Sequence, residues 1–294
     1  MGKYRELRNR IKGVSSTAQI TSAMKMVAAS KLRRAQEAIT FARPYGMKLR
    51  DIIQSVASNE EGASANPLFE EREIVRVCLV VIAADRGLCG AFNSNLCKQT
   101  LIHINTHYSK QLAEGNLDII CVGKRSVEFF TKRKMNVVQA YPGFFSNLNF
   151  SESTSIASNL KTGFLNRDYD RVEVIYNMFK SAIKQVPTFD QFLPIKKFVT
   201  DKTLKQRKAD YIFEPSKIEL LDSLLPKQLN TQFWNSLLDS NAAEHAARMT
   251  SMENATQNAR ELVRSLTLQY NKARQSAITT EMLEIVSGAE ALNN

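Results

Sequence analysis

The sequence has 294 residues, 44% hydrophobic and 23% charged, with a formal net charge of +11. That length and balance suit one large or two modest folded domains and exclude an intrinsically disordered chain. The longest apolar run, Val77 to Ala84, is too short to cross a bilayer, and the charged start MGKYRELRNR lacks the apolar stretch of a signal peptide, so the expected location is the cytoplasmic side.

The charge is unevenly placed. Residues 1–58 carry twelve Lys/Arg against three Asp/Glu, whereas residues 227–294 carry six against seven, so the N-terminal arm expects an acidic partner. That arm has apolar or small residues at Leu7, Ile11, Val14, Ala18, Thr21, Met24, Ala28, Leu32, Ala35, Ile39 and Ala42. Spacing that alternates between three and four is the seam of a coiled coil. Pro44 should kink or locally unwind this helix, the pattern resumes at Leu49, Ile52, Ile53 and Val56, and Asn59 to Pro67 reads as an exit loop.

From about residue 70 to 212 the character changes. Val75–Ala83, Asp118–Val122, Val137–Ala140 and Val172–Phe179 are short β-branched runs, with Phe189–Val199 as a candidate further strand. Between them Asn93–Leu112, Lys124–Lys134 and Glu152–Leu165 have helical patterns. Strand alternating with helix predicts a parallel sheet covered on both faces.

The C-terminal arm opens after Pro215 with Ser216 and Glu219 spaced as a capping box, and Pro226 is expected to end one short helix and open the next. Lys227 through Ser287 then contain neither Gly nor Pro. Met252, Ala255, Ala259, Leu262, Leu266, Ala273 and Ala277 trace a second seam with a lapse at Gln269. A helix this long must bury its stripe against a partner, and the N-terminal seam supplies one. The expected fold is α/β plus coiled coil: a long antiparallel left-handed coiled coil of N- and C-terminal helices with an inserted doubly wound, Rossmann-like α/β domain. The boundaries are 1–60, 61–215 and 216–294.

Candidate chemistry is sparse. The loop Asp85-Arg-Gly-Leu-Cys-Gly90 stands where doubly wound folds bind dinucleotides, but Gly87 and Gly90 lack the full glycine fingerprint, so it reads as a tight structural turn. Gly123-Lys124-Arg125-Ser126 lacks the leading glycine of a phosphate loop. His103 and His107 have a zinc-compatible spacing without a third ligand and read as a solvated helix face. Cys78, Cys89, Cys97 and Cys121 show no CxxC pair and read as buried reduced thiols. No catalytic constellation, metal site or cofactor site stands out. The basic residues of the N-terminal arm fit either nucleic-acid phosphates or acidic protein loops, which leaves a basic coiled-coil nucleic-acid-binding protein as the alternative reading.

Several strings carry a more specific signal: ITSAMKMVAASKLRRAQ (20–36), DRGLCGAFNSN (85–95), EHAARMTSMENATQNA (244–259) and YNKARQSAITTEMLEIVSGAEAL (270–292). Together they resemble the gamma subunits of F-type ATP synthases. The resemblance implies a central-stalk rotor inside a ring of alpha and beta subunits, with the α/β domain against the epsilon subunit and the membrane ring of c subunits. Catalysis would remain in beta, and no nucleic acid or small-molecule ligand would be involved. It further implies that Met24, Lys25, Lys31, Arg33 and Arg34 face acidic beta-subunit levers, with Arg248 near Met24. Arg274, Gln275, Thr279 and Glu281 would touch a beta-subunit loop. Met282, Leu283, Ile285, Val286, Ala289 and Leu292 would form an apolar tip turning in a sleeve. Tyr211, Phe213 and Glu214 would meet the rotor ring. No cysteine lies in Pro194–Asp210, where the chloroplast form carries a redox pair, which implies the bacterial type, peripheral on the cytoplasmic face of the inner membrane.

Overall fold

In the computed structural model the described residues are 2–57, 66–196 and 216–293. Helix α1 spans Gly2–Ala57, and the last helix, α6, spans Lys217–Asn293. Between them lie β1 (Val77–Ile82), α2 (Phe92–His107), α3 (Ser109–Ala113), β2 (Leu117–Val122), α4 (Lys124–Lys132), β3 (Val137–Tyr141), α5 (Phe150–Leu165), β4 (Arg171–Phe179) and β5 (Gln185–Leu193). By compactness the chain divides into a unit of Met1–Ala29 with Arg248–Asn294 and a unit of Ser30–Ala247, and α1 and α6 contribute to both.

The larger unit is built on one five-stranded sheet of order β3-β2-β1-β4-β5. Strands β1 to β4 are parallel, and their winding outward on either side of β1 is the doubly wound plan. Central β1 is buried along its whole length, because its alternate side chains enter two different cores. Val77, Leu79 and Val81 meet Leu96, Ile104 and Phe130 of α2 and α4. Cys78, Val80 and Ile82 meet Ile156 and Phe164 of α5, Ile53 and Val56 of α1, and Leu225 and Phe233 of α6.

Three details differ from the sequence expectation. Strand β5 is antiparallel to β4, as the tight hairpin Lys180–Lys184 requires, and it ends at Leu193 rather than reaching Val199. The helix expected from Asn93 to Leu112 breaks at Tyr108, whose buried ring turns inward so that its hydroxyl donates to Glu173 at 2.5 Å. Helix α6 runs through Pro226 without interruption, as α1 runs through Pro44. A proline inside a helix costs about 3 kcal/mol. Here the stripe Leu221, Leu225, Leu229, Phe233 and Leu237 is buried on the α6 side of the core. Each such side chain contributes about 1.5–3 kcal/mol, so the stripe outweighs the proline. The carbonyls that lose a helical N–H donor to the two prolines belong to Thr40 and Asp222, both exposed to water.

At the start of α6, Ser216 Oγ accepts from the Glu219 N–H at 3.3 Å and its hydroxyl donates to the Glu219 carboxylate at 3.1 Å, a capping box closed through the side chains.

In the smaller unit α1 and α6 pair antiparallel. Tyr4 meets Tyr270 at 6.0 Å between rings, Thr21 and Thr256 hydroxyls are 2.7 Å apart, and Lys25 pairs with Glu253. The α6 seam is Met252, Thr256, Ala259, Val263, Leu266, Tyr270, Ala273 and Ala277, all buried or half-buried. This corrects two expected seam positions: Leu262 is exposed and Val263 takes its place, and Thr256 is the more deeply buried neighbour of Ala255. The lapse at Gln269 disappears, since the seam passes through Tyr270.

Candidate functional site

Two regions gather the candidate residues. The first is the helical pair of the smaller unit. Met24 is half-buried on the seam, and Lys25 is held by Glu253. Arg248 lies half-buried on α6, shortly before Glu253. Beyond Ala277 the character of α6 changes: residues 278–289 are exposed on every face. The pairing of Tyr4 with Tyr270 explains why, because α1 has almost no turns left to cover the end of α6. Arg274, Gln275, Thr279 and Glu281 are exposed, and Thr279 donates its hydroxyl to the Gln275 carbonyl at 3.0 Å. Past them Met282 is 64% exposed and Ile285 71%, with Leu283, Val286 and Ala289 exposed beside them. At about 100° per residue these side chains share one broad face of the helix, with Glu284 on the opposite side, and an exposed apolar face of this kind marks a partner surface.

The basic residues Lys31, Arg33 and Arg34 belong to the larger unit's share of α1 and are exposed. Arg33 pairs with Glu37 one turn on at 3.1 Å, an exposed i,i+4 pair that contributes only about 0.3–0.5 kcal/mol and leaves the charge available. Tyr211, Phe213 and Glu214 lie outside the described residues, as does the side chain of Leu292.

The second region is the switch point of the sheet, at the C-terminal ends of β1 and β4, where this topology commonly binds ligands. The Asp85–Ala91 loop is a structural turn here. Asp85 accepts from the N–H groups of Lys124 (2.9 Å), Gly143 (2.7 Å) and Phe145 (2.9 Å), tying together the segments beyond β1, β2 and β3. Asn93 accepts the Ala84 N–H at 2.9 Å. The space itself is filled by Ala243 and Ala247 of α6, packed with Ala84, Cys89, Phe92 and Phe179. Ser240 donates to the carbonyl of Ile82, the last residue of β1, at 3.4 Å. Gly123 must be glycine: its φ is +92°, and a Cβ there would lie 1.9 Å from the Ala83 carbonyl oxygen.

Side-chain networks that sequence reasoning missed stabilise this frame. His103 is not on a solvated face. Its Nε2 lies 2.7 Å from Glu173 and its ring stacks on Phe189 at 4.4 Å, while His107 is exposed. Glu173, 7% exposed, thus bridges α2 and β4 with Tyr108 as second partner. Burial, reinforced by Glu173, pushes the Tyr108 phenol well up. Tyr176 donates to Asp190 at 2.9 Å and is likewise raised by burial. Asp239 is raised by burial, with Arg43 at 3.4 Å opposing the shift. All four cysteines are free and buried, as expected, and burial raises Cys97 and Cys121 to about 12. Among the described residues no group of three His, Cys, Asp or Glu is placed to hold a metal ion, and no helix is long and apolar enough to cross a membrane.

Comparison with known proteins places these features in a family context. The sequence profile of the family described as ATP synthase matches residues 3–292. The ATP synthase gamma chain of Cytophaga hutchinsonii is 48% identical over 295 residues, covering 100% of both chains. The gamma chain of Chlorobium phaeobacteroides is 48% identical over 293 residues, covering 99% of each. Among solved structures, the central stalk and c-ring of the Tetrahymena thermophila mitochondrial ATP synthase contains a chain with a TM-score of 0.62 at 25% identity, covering 80% of this chain and 99% of that one. A chain of the Euglena gracilis mitochondrial ATP synthase matches the fold with a TM-score of 0.70 at 19% identity, covering 99% and 95%.

Proposed function

The chain belongs to the ATP synthase gamma chain family, and on that premise we propose that it is the central-stalk rotor subunit of an F-type ATP synthase, coupling proton flow to ATP synthesis by rotation. It has no catalytic role of its own; nucleotide chemistry takes place on its partners. The observation that carries this reading is the end of α6, where a seam shared with α1 gives way after Ala277 to a single helix, exposed on every side, that carries a broad apolar face.

A ring of alternating alpha and beta subunits surrounds that helix. Met282, Leu283, Ile285 and Val286 turn within an apolar collar, and Arg274, Gln275, Thr279 and Glu281 touch beta. Rotation presents Lys31, Arg33 and Arg34 to acidic beta-subunit surfaces in turn. Each contact shifts one beta subunit between conformations by a coupling free energy of about 1–3 kcal/mol. Met24 and Lys25 lie on the same stretch facing the beta subunits, with Arg248 of α6 near Met24. The epsilon subunit and the ring of c subunits bind the foot of the α/β domain, with Tyr211 and Glu214 toward the c-ring. The complex is peripheral on the cytoplasmic face of a bacterial plasma membrane. This is a protein–protein role, in keeping with relatives that are ATP synthase gamma chains over their full length.

Two experiments test this. A tagged chain should co-purify with alpha and beta subunits and ATPase activity. Arg274→Ala combined with Gln275→Ala should lower proton-driven ATP synthesis while the α/β domain melts at its normal temperature; undiminished synthesis would remove the contact assignment.

A further inference from the structure

One cavity is lined by none of the residues assigned above to the rotor role. It lies within the unit Ser30–Ala247, between α1, α6 and β5, and encloses about 630 Å³. That falls in the range of roughly 300–1,000 Å³ typical of small-molecule sites. Its two helices touch at the back, where a Cβ on Gly46 would come within 3.0 Å of Asn235. The rim carries the exposed cations Arg43, Arg50 and Lys196. The interior offers acceptors instead. Gln228 Oε1 is buried without a hydrogen-bond partner, and Asp190 also lines the cavity, its Oδ2 accepting from Tyr176. Met47 and Phe192 add an apolar strip to the wall.

We propose that this cavity binds a small hydroxylated phosphate ester, of sugar-phosphate or mononucleotide size. A phosphate on the rim matches the guanidinium groups of Arg43 and Arg50, whose donors suit its oxygens, and Lys196 adds point charge. Arg43 reaches Asp239 only at 3.4 Å, a long contact that leaves room to turn toward an anion. A ligand hydroxyl facing inward donates to Gln228 Oε1, which removes the cost of a buried unpaired acceptor. Cations outside and acceptors inside one cavity ask for an anion and a donor on one molecule. Simple phosphate satisfies only the rim.

The test uses the purified full-length chain, titrated by calorimetry with ribose 5-phosphate and with AMP, and separately with inorganic phosphate and with ribose. The expected result is saturable one-site binding of an ester, with phosphate and ribose alone each much weaker. Arg43→Gln and Gln228→Leu should each lower affinity about tenfold, the loss of one charge-assisted or buried hydrogen bond. Met47→Trp, at an exposed wall position that tolerates bulk, should block binding without changing the thermal melt. No saturable heat with either ester, equal affinity for inorganic phosphate alone, or undiminished binding in Met47→Trp would each overturn the proposal. So would lining residues that resist hydrogen exchange only after assembly with partner subunits while no ester binds, since the cavity would then be a polypeptide contact.

Discussion

Gly123→Ala tests the architecture at its tightest point. Gly123 stands just past β2, donates its N–H to the Tyr141 carbonyl at 3.0 Å and opens α4. Its φ of +92° with ψ of 143° lies near a region that is essentially glycine-only, where an L-residue costs about 1–3 kcal/mol. The larger effect is steric: the new methyl would stand 1.9 Å from the Ala83 carbonyl oxygen. Even close C–H to O contacts need about 3.3 Å, so the backbone must give by more than about 1 Å. Ala83 cannot yield freely, because its N–H donates to the Val122 carbonyl at 2.9 Å. Overpacking of this kind costs about 1–3 kcal/mol, and a lost ladder bond adds about 1, for a total of about 3–7 kcal/mol with the conformational cost. Gly115→Ala carries a positive-φ cost without the clash, since Gly115 has φ +74° and nothing within 4 Å of the added carbon. Its expected loss is about 1–2 kcal/mol. Urea unfolding monitored by fluorescence of Trp234, the single tryptophan, which packs on the core of this unit, reads both. Equal losses for the two substitutions would refute the close approach of Gly123 to the end of β1.

Asp85→Asn should cost about 2–4 kcal/mol in the same assay, because an amide keeps one acceptor oxygen and turns an NH2 group toward backbone donors. The cysteines should resist iodoacetamide at pH 8 until urea unfolds the chain, since Cys97 and Cys121 are raised to about 12. The same shifts favour folding below the unfolded thiol value of about 8.5, and that contribution is lost as pH climbs toward about 12, so alkaline melts should fall across that window. A double-mutant cycle of His103→Ala with Glu173→Gln should give a coupling of about 1–3 kcal/mol, measured by urea unfolding; additive losses would show that the 2.7 Å contact contributes nothing specific.

Much of the fold is legible locally. The strands are β-branched runs of the right length, and the burial of β1 on both faces accords with its unbroken apolar sequence. The illegible parts depend on distant partners. Tyr108 ends α2 because Glu173, sixty-five residues on, receives its hydroxyl. The seam of α6 can be drawn through Leu262 or Val263, and only the opposing face of α1, with Tyr4 and Thr21, selects Val263 and Tyr270. Pro226 reads as a boundary because its local penalty is visible in the sequence and the tertiary burial of the stripe around it is not. The candidate contacts are legible only through family resemblance. Geometry adds that Arg274, Gln275, Thr279 and Glu281 are exposed where α1 stops covering α6, a fact encoded in the register between the two helices and in neither helix alone.

The switch point shows how a ligand-binding plan serves a mechanical part. In doubly wound folds the crevice beyond β1 and β4 is left open, and a helix N-terminus faces it. Here α6 presents Ala242, Ala243 and Ala246, each fully buried, so that its backbone lies close to the strand ends. Ser240 donates to the carbonyl of Ile82, and the loop that would otherwise bear phosphate is turned by Asp85 to bind backbone instead. Small side chains permit the approach, and the absence of glycine keeps the helix from flexing where it makes it. The alanines of α6 at this point and the incomplete fingerprint at Gly87 and Gly90 therefore serve one packing arrangement. The crevice is a socket for α6, and a socket that must resist twisting is better filled with alanine than with a ligand that comes and goes.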